Sequence, residues 1–190
     1  MTTPRALVYI ACSLDGFIAG PDNDLSWLPG ASEDSPDSPG SPEADSGAVG
    51  YEEFMAGIGA MLMGRATFDV VSGFDGPWPY GDLPVLVATH RPLDAPAPTV
   101  RAVSGDVTEL IEAAREAAGD KDIYLDGGDL IRQALDAGLV DEMTVTLVPI
   151  VLGAGHPLFA GATARHPLEF TAFSRYPGGL LQLTARPAPR

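Results

Sequence analysis

The sequence predicts an α/β sandwich with a mostly parallel sheet and antiparallel strands at one edge. Short apolar runs rich in β-branched residues alternate with segments of helical periodicity over most of the chain. The last third is strand-rich, and the Tyr-Pro-Gly-Gly turn at 176–179 joins two of its strands as a hairpin. Alternation of strands with helices is typical of parallel sheets. A length of 190 residues fits one domain, which we expect to span residues 1–190.

The first half of the chain is predicted to contain four strands and two helices. In order, these are strands at 6–14 and 17–19, a helix at 51–58, a strand at 60–63, a helix opening at Gly64 and a strand at 84–89. The strands are continuous apolar runs, as expected for strands buried on both faces.

The second half begins with the strongest helix signal. Asp106 can cap a helix over 106–118, and Glu109 completes a capping box. The remaining elements are predicted as a strand at 122–125, a helix after Gly128 that closes at Gly138, a strand at 143–152, and hairpin strands at 168–175 and 180–186.

Composition and charge exclude several classes of protein. The net charge is −15, and residues 22–53 hold nine acidic residues without any Lys or Arg. Nucleic-acid binding is not expected, since phosphate contacts need a basic surface. No apolar run approaches the length of a membrane span, and the single cysteine, Cys12, fits a reducing compartment, so we expect a cytoplasmic protein. Residues 30–48, rich in Pro, Ser and Asp, are predicted to be a mobile surface loop.

Three motifs could bind phosphate groups at the carboxyl ends of predicted strands. Gly64, Arg65 and Thr67 open a helix directly after a strand, and Gly127-Gly128 do the same after the strand at 122–125. Thr89-His90-Arg91 follows the strand at 84–89. In open α/β sheets ligands bind at this edge, so the three motifs together favour a nucleotide site. The three histidines lack metal-ligand spacing, and no metal site is expected.

Six segments in chain order carry a family resemblance. They are SLDGFIA at 13–19, DNDLSWL at 22–28, GYEEFMAGIGAMLMGRATF at 50–68, VLVATHRP at 85–92, IYLDGGDLIRQAL at 123–135 and GLVDEMTVTLVPIVLGAGHPLF at 138–159. Together they resemble the dihydrofolate-reductase-like superfamily, in particular the reductase domain of riboflavin biosynthesis and its stand-alone relatives. The last segment is closer to the riboflavin branch than to folate reductases.

The resemblance implies a three-layer αβα sandwich of about eight strands with a C-terminal antiparallel hairpin, NADPH as cofactor, and a homodimer. It also implies cofactor-binding roles for nine residues. These are Ala11 and Ile18 at the nicotinamide, Gly64, Arg65 and Thr67 at the phosphate-contacting helix start, Thr89 and Arg91 at the adenosine 2′-phosphate, and Gly127 and Gly128 at the pyrophosphate.

Three residues are candidates on the catalytic side. Trp27 matches the substrate side of a loop beside the nicotinamide, and Asp15 is either a polar group of the site or a turn aspartate. Folate reductases place a carboxylate on the following helix. Here residues 30–48 occupy that stretch. Glu52 and Glu53 lie nearby but cannot both face the site, and Glu53 is the candidate acid.

The resemblance leaves the activity open between three hypotheses. The first is an NADPH-dependent reductase of a pyrimidine- or pterin-type heterocycle, similar to 5-amino-6-(5-phosphoribosylamino)uracil reductase. The second is a dihydrofolate-reductase-like activity. The third is a nucleotide-binding module without turnover.

Overall fold

The computed structural model describes residues 3–29 and 49–188, so the predicted loop at 30–48 lies outside the described residues. The strands are β1 (Ala6–Ser13), β2 (Phe17–Ala19), β3 (Ile58–Gly64), β4 (Val85–Ala88), β5 (Val100–Val103), β6 (Asp122–Asp126), β7 (Glu142–Val148), β8 (His156–Pro157), β9 (Leu168–Arg175) and β10 (Leu181–Pro187). The helices are α1 (Tyr51–Ala56), α2 (Arg65–Val71), α3 (Val107–Ala118) and α4 (Gly128–Asp136). Within the described ranges, no helix is both long and apolar enough to cross a bilayer.

Eight strands form one mixed sheet in the order β5-β4-β3-β6-β1-β7-β10-β9. The first six in this order are parallel to one another, whereas β10 is antiparallel to β7 and β9 is antiparallel to β10. The fold class is therefore confirmed, including the C-terminal hairpin. β2 and β8 form a separate small ribbon in which Ala19 pairs with His156.

Helices cover both faces of the parallel part of the sheet and complete three layers. On one face Ile111 of α3 and Ile131 of α4 are fully buried against Leu62 and Leu125 of the sheet. On the other face Phe68 of α2 and Phe54 of α1 pack on a second apolar cluster. The predicted capping box is present, because the Asp106 carboxylate accepts from the backbone N–H of Thr108 and Glu109.

The structure departs from the predictions at two boundaries and one missed strand, each for a local reason. The helix predicted over 51–58 ends at Ala56, since Gly57 turns the chain and Ile58 begins β3 with only 3% of its surface exposed. The strand predicted over 143–152 ends at Val148, because Pro149 has no N–H to continue the ladder. β5 was not predicted, since four residues on an edge strand give little periodic signal.

Candidate functional site

A cleft of about 660 Å³ opens at the carboxyl ends of the parallel strands. Its walls come from the ends of β1, β3, β4 and β6, from the first turns of α2 and α4, and from the segments after β1 and at β8. This is the edge at which the backbone of a parallel sheet leaves space for a ligand.

The glycine part of the cleft, defined by Gly64, Arg65, Thr67, Gly127 and Gly128, brings two strand–helix turns together. Gly127 has φ +101°, and a Cβ built on it would lie 2.7 Å from Thr67 Oγ1 and 3.4 Å from Gly64 N. A Cβ on Gly128 would lie 2.7 Å from the Pro157 carbonyl oxygen. Both positions therefore require glycine, and the backbone of the α4 N-terminus faces the cleft.

Two arginines predicted to contact phosphate share one carboxylate. Arg65, which lines the cleft, donates from Nε to Asp69 Oδ1 at 2.6 Å and from Nη1 to the Pro92 carbonyl at 3.0 Å. Arg91 approaches Asp69 Oδ2 with Nη2 at 3.4 Å, and its backbone N–H donates to Thr89 Oγ1. Thr89 and Arg91 lie outside the cleft lining, and the Arg91 side chain is 66% exposed. Asp69 therefore connects Arg91 to Arg65 of the glycine part.

Ala11 and Ile18, the residues predicted beside the nicotinamide, both line the cleft. Ile18 Cδ1 would lie 3.4 Å from a Cβ on Gly128, so the β2 segment meets the start of α4. Seven of the nine predicted cofactor residues are thus brought to one cavity.

The aromatic part of the cleft is formed by Tyr9, Tyr124 and Asp126, with Tyr51 and Tyr80 behind them. Tyr124 donates its hydroxyl hydrogen to the Tyr9 carbonyl at 2.8 Å. Burial first, and then the nearby Asp126 charge, raise the pKa of Tyr51 to about 12 and raise the pKa of Tyr80 as well. These phenols therefore stay protonated and surround one carboxyl group.

Asp126 is a functional candidate that the sequence analysis missed. It ends β6 inside the cleft lining, and Oδ1 accepts from the Gly127 N–H at 2.7 Å. Burial raises its pKa to about 6, against the lowering effect of that hydrogen bond. Strong pKa perturbation in a cleft is typical of functional groups. The signal available in the sequence was an acid that ends an otherwise apolar strand immediately before two glycines.

Arg132 was also missed, and it positions one wall of the cleft. Its guanidinium donates to the Pro157 and Leu158 carbonyls at 2.7 and 3.2 Å and pairs with Asp129. Only 14% of the side chain is exposed. Arg132 therefore holds the β8 segment, including the cleft residue His156, against α4. Its position one helical turn after Gly128 was the available signal.

The three predicted catalytic residues do not line the cleft. Asp15 is exposed and accepts hydrogen bonds from Ser13 Oγ, Leu152 N and Gly153 N. The Ser13 hydroxyl, and then the two backbone donors, lower the pKa of Asp15 to about 2. Such a carboxyl group is ionised at neutral pH and serves as an anchor for the 152–153 turn.

Trp27 and Glu53 have other surroundings as well. Trp27 donates from Nε1 to the Asp24 carbonyl at 3.0 Å and packs on the cluster of Val148, Tyr176 and Leu180, while its neighbour Leu28 lines the cleft. Glu53 is exposed in the first turn of α1. Catalytic roles for Asp15, Trp27 and Glu53 stay predictions.

Comparison with solved structures supports a common fold. A structure from Shewanella sp. PV-4, whose name assigns it to riboflavin biosynthesis, is 32% identical, with a TM-score of 0.79 over 97% of this chain and 99% of its own. A diaminohydroxyphosphoribosylaminopyrimidine deaminase/5-amino-6-(5-phosphoribosylamino)uracil reductase from Thermotoga maritima is 16% identical, with a TM-score of 0.64 over 98% of this chain and 57% of its own.

A dihydrofolate reductase from Enterococcus faecalis has the same fold. It is 15% identical, with a TM-score of 0.64 over 98% of both chains. At this identity the likeness concerns the fold alone. The model of the RibD C-terminal domain matches residues 4–181, a range that includes every residue lining the cleft, so the chain belongs to the RibD C-terminal domain family.

Proposed function

We propose that the protein is an NADPH-dependent reductase of a pyrimidine- or pterin-type heterocycle, with an activity similar to 5-amino-6-(5-phosphoribosylamino)uracil reductase. One observation carries the proposal: a single cleft contains a glycine part suited to phosphates and, beside it, a carboxyl group with a raised pKa. The family and its reductase neighbours support an oxidoreductase in general terms.

The cleft residues fit a dinucleotide cofactor. The space that a Cβ would fill at Gly127 and Gly128 leaves room for a pyrophosphate against the backbone of two turns. Arg65 supplies a cation inside the cleft, and Arg91 supplies another beside it for the adenosine 2′-phosphate. In a chain of net charge −15, such local cations are needed to attract a polyanion. The Enterococcus faecalis neighbour is complexed with NADP(H).

NADPH, when bound, supplies a hydride, and the chain must supply a proton and hold the substrate. Ala11 and Ile18 give an apolar surface for the nicotinamide, in the positions that the family resemblance implies. Asp126 is suited to the proton because a carboxyl group with a pKa of about 6 still holds one in mildly acidic solution. Tyr9 and Tyr124 line the cleft beside it, and their rings pack on Tyr51 and Phe54.

The substrate preference is proposed from the named neighbours. The name of the Shewanella sp. PV-4 structure assigns it to riboflavin biosynthesis, and the name of the Thermotoga maritima protein includes 5-amino-6-(5-phosphoribosylamino)uracil reductase. A dihydrofolate-reductase-like activity is the alternative, favoured by the likeness to the Enterococcus faecalis enzyme. The phenol-lined carboxyl group is compatible with either heterocycle.

The proposal includes a homodimer and a cytoplasmic location. Large apolar side chains exposed on the outermost strand support self-association. The cytoplasmic location follows from the proposed need for NADPH, and the buried thiol of Cys12 is consistent with a reducing compartment.

The experiment is an NADPH titration followed by turnover. Nicotinamide fluorescence should report saturable binding, and adding 5-amino-6-(5-phosphoribosylamino)uracil should then lower the absorbance of reduced nicotinamide. Dihydrofolate is added in a parallel reaction. Saturable binding without oxidation of NADPH by either compound would indicate a binding module, and no binding at all would reject the proposal. Arg91→Ala should weaken NADPH binding, and Arg101→Ala, which changes an exposed arginine on β5, serves as its control.

A further inference from the structure

One buried side chain ties the start of α1 to the C-terminal part of the sheet. Gln182 of β10 is 2% exposed, and its Oε1 accepts from the Val49 N–H at 2.9 Å while its Nε2 donates to the Val49 carbonyl at 3.2 Å. A single amide thus pairs with both backbone groups of one residue, as an adjacent strand would. Val49 immediately precedes Gly50, the N-cap of α1. We call this arrangement the glutamine clamp.

The glutamine clamp also holds the hydroxyl group of a cleft residue. Gln182 Nε2 donates to Tyr9 Oη at 3.2 Å, and Tyr9 Oη donates to the Val49 carbonyl at 2.9 Å. The Tyr176 hydroxyl lies 3.4 Å from that carbonyl and 3.4 Å from Gln182 Oε1. Because the Val49 N–H can only donate and its carbonyl can only accept, the amide has one orientation, with Nε2 toward Tyr9. The clamp therefore needs the acceptor and the donors that an amide combines in one neutral group.

Strand register brings the clamp to the face of the sheet that lines the cleft. Gln182 pairs with Thr146 of β7, and Thr146 pairs with the cleft residue Ala11 of β1. Paired residues share a face of the sheet, and so do residues two apart on one strand. Gln182 therefore acts from two strands away on the face that carries Tyr9 and Ala11.

The short helix α1 depends on such tertiary contacts for its position. It has six residues, and its N-cap Gly50 makes no side-chain hydrogen bond, whereas isolated helices shorter than about 12 residues are marginal. The ring centroid of Phe54 lies 4.8 Å from that of Tyr9 and 5.1 Å from that of Tyr124, and Tyr51 lies 5.7 Å from Tyr9. The clamp fixes both the residue before the helix and the Tyr9 ring on which the helix packs.

The helix in turn lies near Asp126. The charge of Asp126 acts on Tyr51 of α1, on Tyr80 and on Tyr124, and it raises the pKa of each of these phenols further. Burial raises the pKa of Asp126 from its ordinary value of 3.8. A displacement of α1 that exposes the carboxyl group would therefore lower this pKa.

We propose that Gln182 is a positioning residue of the cleft: its amide holds Val49 and Tyr9 together, seats α1 against the aromatic part and so maintains the burial of Asp126. Gln182 lies outside the cleft lining and acts through Tyr9 and α1. The role in turnover rests on the proposed function, in which Asp126 supplies the proton.

The titration of Asp126 tests the glutamine clamp without any substrate. Carbon-13 NMR of the side-chain carboxyl, assigned with Asp126→Asn, should give a midpoint of about pH 6 in the wild-type protein. Gln182→Met keeps the length of the side chain and removes its hydrogen bonds, so we expect the midpoint to fall by about one pH unit or more. Thr184→Val removes a buried hydroxyl from the same face of β10 that contacts Thr144 rather than Val49, and it should leave the midpoint unchanged.

A second variant and an activity profile complete the test. Gln182→Asn keeps an amide that is one carbon too short for the clamp, so it should remain folded if Gln182→Met does not, and it should lower the midpoint in the same direction. With NADPH and 5-amino-6-(5-phosphoribosylamino)uracil, the fall of kcat with rising pH should move to lower pH in both variants.

The outcomes separate the clamp from the proposed reductase activity. A folded Gln182→Met or Gln182→Asn protein with the wild-type midpoint would overturn the proposal, as would an equal decrease in Thr184→Val. A wild-type midpoint near 3.8 would overturn it too, since the carboxyl group would then not be buried. A midpoint lowered only in the Gln182 variants of a protein without turnover would support the clamp and reject the reductase activity alone.

Discussion

The glycine part and the aromatic part of the cleft differ in how the fold builds them. The glycine part consists of backbone at two strand–helix turns, and the parallel sheet fixes it wherever β3 and β6 are neighbours. The aromatic part consists of side chains that come from β1, β6, α1 and the 74–83 segment. The proposed phosphate site thus follows from topology, whereas the surroundings of the proposed reacting groups depend on long-range packing.

The largest effect is expected from filling the glycine part. Gly127→Ala places a Cβ 2.7 Å from Thr67 Oγ1 and strains a residue at φ +101°. Strain of about 1–3 kcal/mol is typical of such positions. Because the turn must shift to relieve this strain, we expect NADPH affinity to fall about 10- to 100-fold. Nicotinamide fluorescence measures the affinity, and thermal unfolding measures the strain.

Gly64→Ala is the matched control for strain. Gly64 has φ −71°, and a Cβ there meets no atom within 4 Å. Its thermal stability should therefore equal that of the wild-type protein. If Gly127→Ala bound NADPH as the wild-type protein does, the glycine part would not be the pyrophosphate site.

The second effect tests the aromatic part through Asp126. Asp126→Asn cannot donate a proton but keeps the size of the side chain. We expect kcat to fall about 100-fold with little change in NADPH affinity, since general acids contribute at least this factor. Asp120→Asn, at an exposed turn before β6, is the control. Equal losses of kcat in the two variants would argue against a role for Asp126.

The pH dependence of folding gives an independent check on Asp126. Its pKa is raised from 3.8 to about 6 by burial, so the folded protein holds a proton that the unfolded chain has already lost. The stability contributed by this group should therefore fall by up to about 3 kcal/mol as pH rises from about 4 to about 6. Above that pH it should stay constant. Urea unfolding across this range should show the fall in the wild-type protein and lack this component in Asp126→Asn.

A smaller effect is expected at the border of the glycine part. Arg91→Ala should weaken NADPH about tenfold and leave NADH unchanged, because a single exposed cation already shared with Asp69 contributes modestly. Arg101→Ala should change neither affinity. Equal losses for NADPH and NADH in Arg91→Ala would place Arg91 away from the 2′-phosphate.

The contrast between the two parts explains what the sequence could predict. Apolar runs and helix caps indicate where parallel strands end, and ligand sites of parallel sheets lie there, so Gly64, Arg65, Gly127 and Gly128 were predictable from local pattern. Local pattern also predicted the mostly parallel sheet, because it needs only the alternation of strands and helices.

The aromatic part depended on contacts between residues distant in sequence. Tyr9 and Tyr124 meet only because β1 and β6 are neighbours, and the Tyr124 hydroxyl donates to the Tyr9 carbonyl across this strand pair. The pKa of Asp126 results from burial, which its own segment does not encode. Asp15 resembled a site residue because it follows a strand, but the turn after β1 directs its carboxylate to the backbone at 152–153.

The smallest effect on turnover is expected from Asp15→Asn. This substitution distinguishes a structural role of Asp15 from a catalytic one. Its carboxylate holds the 152–153 turn and lies outside the cleft lining, so kcat should stay within about twofold while the variant unfolds at a lower temperature. The pKa of Asp15 is lowered from 3.8 to about 2, so the stability that this group contributes is present above about pH 4 and is lost as pH falls toward 2. Thermal unfolding at neutral pH and at about pH 3 should therefore show a smaller acid-induced decrease in the variant than in the wild-type protein. A large loss of kcat at unchanged stability would instead place Asp15 among the reacting groups, and the aromatic part would then extend beyond the cleft to the end of β1.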